Sequence, residues 1–176
     1  MTQISSLCSQ LADLLIEQDL MVATAESCTG GDIGARLTDL SGSSAWFAGG
    51  IISYSNSAKQ NLLGVAEASL QNHGAVSEQV VLQMAQGACT QLRTDLAVAV
   101  SGVAGPTGGS AEKPVGTVWI AWAWRDSKRG ATSRCFSFSG DRDAIRQATV
   151  TAALSGLISQ LTPALTRVEQ APKQEK

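Results

Sequence analysis

Four short stretches of this chain carry side chains suited to chemistry. Glu26-Ser27-Cys28-Thr29-Gly30-Gly31 sets a hydroxyl beside a glycine pair, directly after an apolar run. Ser53-Tyr54-Ser55-Asn56-Ser57-Ala58-Lys59 combines the sole tyrosine with an amine. Ser101-Gly-Val-Ala-Gly-Pro-Thr-Gly-Gly109 is rich in glycine, and Ser139-Gly140-Asp141-Arg142-Asp143 offers a guanidinium among acids. His73 is the single histidine, so a Ser-His-Asp arrangement would have to be built on it. It sits in Gln71-Asn72-His73-Gly74, which reads as a helix end, with Gly74 as a left-handed stop and a basic ring that suits the dipole. Nucleophilic chemistry here calls for a base other than imidazole.

Lysine can replace histidine as the base toward serine when its amine is neutral. An unperturbed lysine is neutral about one part in a thousand at pH 7, a handicap of roughly 4 kcal/mol, and burial or a nearby cation reduces it. Lys59 is that candidate, with the Tyr54 hydroxyl placed to bridge serine and lysine. On the residues alone the favoured reading is plainer, with Lys59 a solvated helix residue and Tyr54 a half-buried strand residue. Ser27 would lie near free N–H groups at a helix N-terminus, where an oxyanion or carboxylate can be held. The competing reading makes Ser27 or Thr29 a plain N-cap.

The Ser101–Gly109 loop suits close approach of backbone to a ligand, and successive N–H groups in such a turn bind anions. It matches neither G-x-G-x-x-G nor a Walker A loop, which argues against a dinucleotide oxidoreductase and a P-loop NTPase. Arg142 falls in the first turn of a helix, against the dipole, which marks it as a phosphate-binding candidate; chance surface placement is the alternative. Cys8, Cys28, Cys89 and Cys135 are scattered without a Cys-x-x-Cys pair, which argues against zinc and against a disulfide framework.

The elements that must position these stretches follow from periodicity. Ile4, Leu7, Cys8, Leu11, Leu14 and Leu15 recur at helical spacing. Met21–Ala25 is a short apolar strand, a helix follows to about Leu40, Ser41–Ser44 is a turn or cap, and Gly50–Tyr54 reads as a second strand. Helical stretches follow at Ala58–Leu63 and Glu67–Asn72. Ser77 reads as the cap of a long helix with Val80, Val81, Met84, Ala88 and Leu92 on one face. Leu96–Val100 is near-continuously apolar, as expected of a strand covered on both faces.

Val115–Trp124 and Ser133–Phe138 read as a hairpin across Arg125–Gly130, with Trp122 and Trp124 on one face and Trp119 on the other. Asp141 to about Leu161 is the last helix. The expected architecture is a single three-layer α/β domain, residues 1–162, with a mixed, mostly parallel sheet, an antiparallel hairpin and helices on both faces. Residues 163–176 read as a polar, disordered tail.

Composition narrows the class. The 176 residues carry 13 Lys+Arg against 15 Asp+Glu, a net charge of −2, with 44% hydrophobic and 16% charged residues. That is one domain's worth of chain with enough apolar side chains for a core, too apolar for disorder. The absence of a basic face argues against nucleic acid as a partner. No apolar run approaches the ~18 residues of a membrane span, and Met1–Leu20 lacks signal-peptide features, so a soluble cytoplasmic protein without a membrane partner is expected.

Seven motifs then occur in a telling order: Thr24-Ala-Glu-Ser-Cys-Thr-Gly-Gly31, Gly42-Ser-Ser-Ala-Trp-Phe47, Tyr54-Ser-Asn56 with Lys59, Gly74-Ala-Val-Ser77, Ser101-Gly-Val-Ala-Gly-Pro106, Lys113-Pro-Val-Gly-Thr-Val118 and Ser139-Gly-Asp-Arg142. Together they resemble the CinA C-terminal-domain family, the nicotinamide-nucleotide amidases, over about Leu7 to Leu161 and in a stand-alone form. The resemblance implies deamidation of nicotinamide mononucleotide to nicotinate mononucleotide and ammonia, a step of pyridine-nucleotide recycling, with no metal or organic cofactor.

It further implies Ser27 as nucleophile, Lys59 as base and Tyr54 in the same hydrogen-bonded group. The substrate would lie against Thr29, Gly30 and Gly31, Asn56, the loop residues Ser101, Gly102, Ala104, Gly105, Gly108 and Gly109, and Arg142. A homo-oligomer, with a dimer favoured, is expected. Two alternatives stay open: a non-catalytic nucleotide-binding or competence-associated module, and an amidase using Ser43 or Ser44.

Overall fold

In the computed structural model, which describes residues 2–162, five strands form one sheet in the order β2-β1-β3-β4-β5. The strands are β1 (Val22–Glu26), β2 (Phe47–Ile52), β3 (Leu96–Gly102), β4 (Thr117–Trp124) and β5 (Ala131–Ser137). β1 pairs in parallel with both β2 and β3, while β4 runs antiparallel to β3 and to β5. Four strands therefore share one direction and β4 opposes them, giving the expected mixed sheet with its terminal hairpin. The helices are α1 (Gln3–Glu17), α2 (Asp32–Thr38), α3 (Asn56–Leu63), α4 (Glu67–His73), α5 (Glu78–Leu92) and α6 (Arg142–Leu161). The tail expected at 163–176 lies outside the described residues. No helix among the described residues is long and apolar enough to cross a membrane.

The period of two along the strands divides the sheet into a bulky face and a small one. Val22, Leu96, Val98, Val100, Val118, Ile120, Trp122 and Trp124 pack against α1, α2 and α6. The alternate positions are almost all alanine: Ala23, Ala25, Ala97, Ala99, Ala121 and Ala123 pack with α3, α4 and α5. Trp119 belongs to this second side, as the spacing predicts, while Trp122 and Trp124 are buried in the first and present no exposed indole face. A floor of alanines leaves room for α5 to lie close to the sheet.

Several boundaries move by physical causes. β2 begins at Phe47 and ends at Ile52, three residues earlier than expected at its start and two at its end, because residues 53–54 already leave the sheet toward α3. The expected turn at Ser41–Ser44 holds a short 3-10 turn at Ser43–Ala45. Ser77 occupies the N-cap position of α5, but its hydroxyl donates back to the Gly74 carbonyl at 2.8 Å instead of accepting from the helix. Gly74 has a positive φ of 75° with ψ 165°, so α4 ends in an extended exit and not the left-handed turn expected there.

Strand order gives the site its location. From β1 the chain crosses one way to β2 and then back past β1 to β3, so a crevice opens between the carboxyl ends of β1 and β3, where open α/β sheets bind ligands. The loops at 27–31 and 103–116 both leave from that edge. α3 is held there by α5: a Cβ on Gly87 would stand 2.1 Å from the Leu63 carbonyl oxygen at the end of α3. Gly87→Ala is expected to push α3 and α5 apart, costing about 1–3 kcal/mol in urea denaturation and lowering any activity that depends on Lys59.

Candidate active site

Beyond the end of β1 the period of two points Glu26 toward the α2 side of the sheet and Ser27 toward the α3 side. Lys59, one turn into α3, meets Ser27 there: its Nζ lies 3.0 Å from Ser27 Oγ, 2.7 Å from the Ser53 carbonyl oxygen and 3.2 Å from the Tyr54 carbonyl oxygen. Lys59 is 1% exposed and Ser27 7%. The ammonium form donates to all three oxygens. The neutral amine donates to the two carbonyls and turns its lone pair to the Ser27 hydroxyl, which is the state a base requires.

Among the described residues no carboxylate pairs with Lys59. Burial pulls its pKa from the ordinary 10.5 down to about 8, with the Cys28 sulfur acting in the opposite direction. At pH 7 about one molecule in ten then carries the neutral amine, against fewer than one in a thousand for an exposed lysine. Cys28, beside the nucleophile, moves the other way: burial raises its thiol to about 11, which leaves it protonated and a poor rival to Ser27.

A cavity of about 190 Å³ opens over this pair, lined by Ser27, Cys28, Tyr54, Lys59, Ala75, Val76, Ser101, Gly102, Ala104 and Arg142. The structure thus brings together Ser27, Lys59, Tyr54, Ser101, Gly102, Ala104 and Arg142 from four separate stretches. Ser101 is buried on the floor, its hydroxyl donating to the Ala75 carbonyl at 2.8 Å. Arg142 reaches across the mouth and donates to the Gly105 carbonyl at 2.8 Å, which ties the glycine loop down and leaves other N–H groups of the guanidinium for a ligand.

Other expectations change. Tyr54 is 63% exposed and its hydroxyl makes no hydrogen bond among the described residues; its carbonyl, not its phenol, joins the Lys59 group. Asn56 is exposed at the start of α3 and lines a separate surface depression with Gln60, Glu67, Leu70 and Gln71. Gly30, Gly31, Gly108 and Gly109 do not line the cavity. Thr29 is fully buried, with its hydroxyl committed to Glu26 at 2.6 Å. Neither Ser27 nor Thr29 caps α2. The cap position is Gly31, and Glu26 itself accepts from the N–H groups of Gly31, Ile33 and Gly34 at 3.0, 3.1 and 2.9 Å. The helix end expected to hold an oxyanion is therefore filled from within.

Glu26 and Arg146 are the residues the sequence reading missed. Arg146, one turn after Arg142 on α6, donates to the Thr29 carbonyl at 2.8 Å. Its i, i+4 spacing from Arg142 was the available signal. For Glu26 the signal was an acid ending an apolar strand, five residues before the glycine N-cap of a helix. Ser43 and Ser44 precede β2, at the opposite end of the parallel strands from Ser27, so neither reaches this cavity.

The CinA C-terminal domain model matches residues 4–161. The nicotinamide-nucleotide amidohydrolase PncC of Escherichia coli K12 is 48% identical over 159 residues, covering 90% of this chain and 95% of that protein. The PncC of Pseudomonas putida is 49% identical over 162 residues, covering 90% and 97%. Among solved structures, the competence/damage inducible protein CihA of Agrobacterium tumefaciens superposes with a TM-score of 0.88 at 44% identity, covering 92% of this chain and 98% of that one.

The depressed lysine pKa has a sign that stability measurements read. The folded chain releases this proton near pH 8 and the unfolded chain near 10.5, so the unfolded state binds more protons in between and native stability rises with pH there. Measured as a difference from Lys59→Met, native stability is expected to gain about 3 kcal/mol between pH 8 and 10.5. Urea midpoints of the two proteins across that range check it, and a flat difference means the amine is not desolvated.

Proposed function

The chain belongs to the CinA C-terminal domain family, and from that membership we propose that it hydrolyses the carboxamide of nicotinamide mononucleotide, giving nicotinate mononucleotide and ammonia. The observation that carries the reading is the buried Lys59 amine 3.0 Å from the Ser27 hydroxyl, with no carboxylate among the described residues to hold its proton. The relatives named amidohydrolases support the same reaction class.

The geometry supports the following sequence of bond changes. Ser27 Oγ passes its proton to the neutral Lys59 amine and bonds to the carboxamide carbon, whose C=O electrons move onto oxygen. The N–H groups of Cys28 and Thr29, which have no oxygen acceptor among the described residues, supply donors for that oxyanion. The Lys59 ammonium returns the proton to the departing nitrogen, the C–N bond breaks, and ammonia leaves behind an ester on Ser27. Water attacks that ester with Lys59 again accepting a proton; the C–O bond to Ser27 breaks and the hydroxyl regains it. The cavity's ~190 Å³ suits the pyridine ring and carboxamide, while the phosphate extends toward Arg142, whose fork matches it.

Incubation with nicotinamide mononucleotide should release ammonia, and Ser27→Ala and Lys59→Ala should each lose it by about 10³-fold or more while remaining folded. Rapid quench and mass spectrometry should find the acyl mass of nicotinate mononucleotide, with its ribose phosphate retained, on the peptide containing Ser27. The kcat/KM profile should rise with pH and level off around the Lys59 pKa of about 8. Thermal stabilisation by the nucleotide without any ammonia would mark a binding module instead.

A further inference from the structure

We propose that Glu26 is a positioning residue that holds the Ser27 turn in its reactive geometry, acting through the backbone and never touching substrate. Glu26 is 1% exposed and takes five hydrogen bonds, none from a cationic side chain. Oε2 accepts from Thr29 Oγ1, Gly31 N and Ile33 N; Oε1 accepts from Thr24 Oγ1 and Gly34 N. Its own carbonyl accepts from Ser53 N at 2.8 Å. One residue thereby fixes both sides of the reacting pair: its side chain clamps the segment that follows Ser27, and its backbone anchors Ser53, whose carbonyl holds Lys59.

Neighbouring features are shaped to keep that carboxylate in place. A Cβ on Gly50 would lie 2.4 Å from Thr24 Oγ1, so the bare glycine leaves the room in which the Thr24 hydroxyl reaches Glu26. Arg146 closes the far side by binding the Thr29 carbonyl, the same residue whose hydroxyl makes the 2.6 Å bond to Oε2. Charge matters as much as shape. A glutamine has one acceptor oxygen and an amide that donates, so its nitrogen would face at least one backbone N–H with no acceptor. The turn must open to relieve that conflict, and Ser27 is the residue at its start.

The inference rests on Ser27 being the nucleophile, so its test includes a readout independent of the natural substrate. Ser27 labelling by a fluorophosphonate, followed by mass spectrometry, is measured beside ammonia release for native protein, Glu26→Gln and Thr29→Val. For Glu26→Gln, kcat and the labelling rate are expected to fall together by about 100-fold, with KM within about threefold because no substrate contact is removed. The rising limb of the pH profile should stay where it is in the native protein, since Lys59 is untouched. Thr29→Val, which deletes one neutral donor, is expected to lower both rates by about tenfold, and it decides the matter should Glu26→Gln fail to fold. Folded variants that lose thermal stability yet keep both rates within threefold would overturn the proposal. If native protein is labelled at Ser27 but releases no ammonia from nicotinamide mononucleotide, the substrate assignment fails while the labelling rates still judge Glu26; a native protein unlabelled at Ser27 overturns both.

Discussion

The structure turns on an amine buried, among the described residues, without an acid beside it. Lys59 finds two strand-end carbonyls and one hydroxyl, and that set satisfies either protonation state. A carboxylate in place of either carbonyl would hold the ammonium and raise its pKa, ending its use as a base. Carbonyl oxygens are weaker partners, enough to orient the nitrogen but not enough to fix its proton. The cost is the desolvation of a cation whenever the site is protonated, which the fold must offset elsewhere.

The offset comes from packing, and the packing explains the alanines. With small side chains on one sheet face, α5 approaches closely, and its Gly87 lets the end of α3 lie against it. α3 is only eight residues long and presents Lys59 and Leu63 on its buried side, so its placement depends on what it rests on. The opposite face uses bulky residues and the long α6, whose first turn delivers Arg142 and whose second delivers Arg146 to the two loops. One helix layer sets the base and the other sets the loops, with the nucleophile at the seam between them.

Much of this was legible in the sequence because it follows from periodicity and small-residue loops. Leu96–Val100 announces a covered strand, and two strands ending in glycine-rich loops announce a ligand edge. Ser27 and Lys59 follow from asking what could replace an imidazole, although spacing alone left the bland readings open; their meeting is a tertiary fact that a separation of 32 positions conceals. The Tyr54 hydroxyl was misplaced for a local reason: the chain leaves β2 at Ile52, so the ring turns outward and the backbone takes over its role. Glu26 was passed over because Ser27 and Thr29 offer better N-cap chemistry in isolation. Only the fold shows that a carboxylate from the strand reaches the helix end first.

The charges around the cavity bear on how an amidase would use a base that is mostly protonated at neutral pH. Among the described residues its lining side chains include two cations, Lys59 and Arg142, and no acid. A pyridinium ring brought into that space adds a third positive charge near the amine. At a separation of ~5 Å and an effective dielectric constant of ~20, the repulsion is about 3 kcal/mol, equivalent to about two pKa units. That is enough to make the neutral amine the dominant form in the complex. In the proposed complex the phosphate would lie at the other end of the nucleotide, where Arg142 would neutralise it and limit its pull on Lys59. Binding energy from the phosphate would thus be spent on driving a proton off the base, and in the proposed reaction the cationic ring, at first sight ill matched to a basic pocket, would be what frees the base.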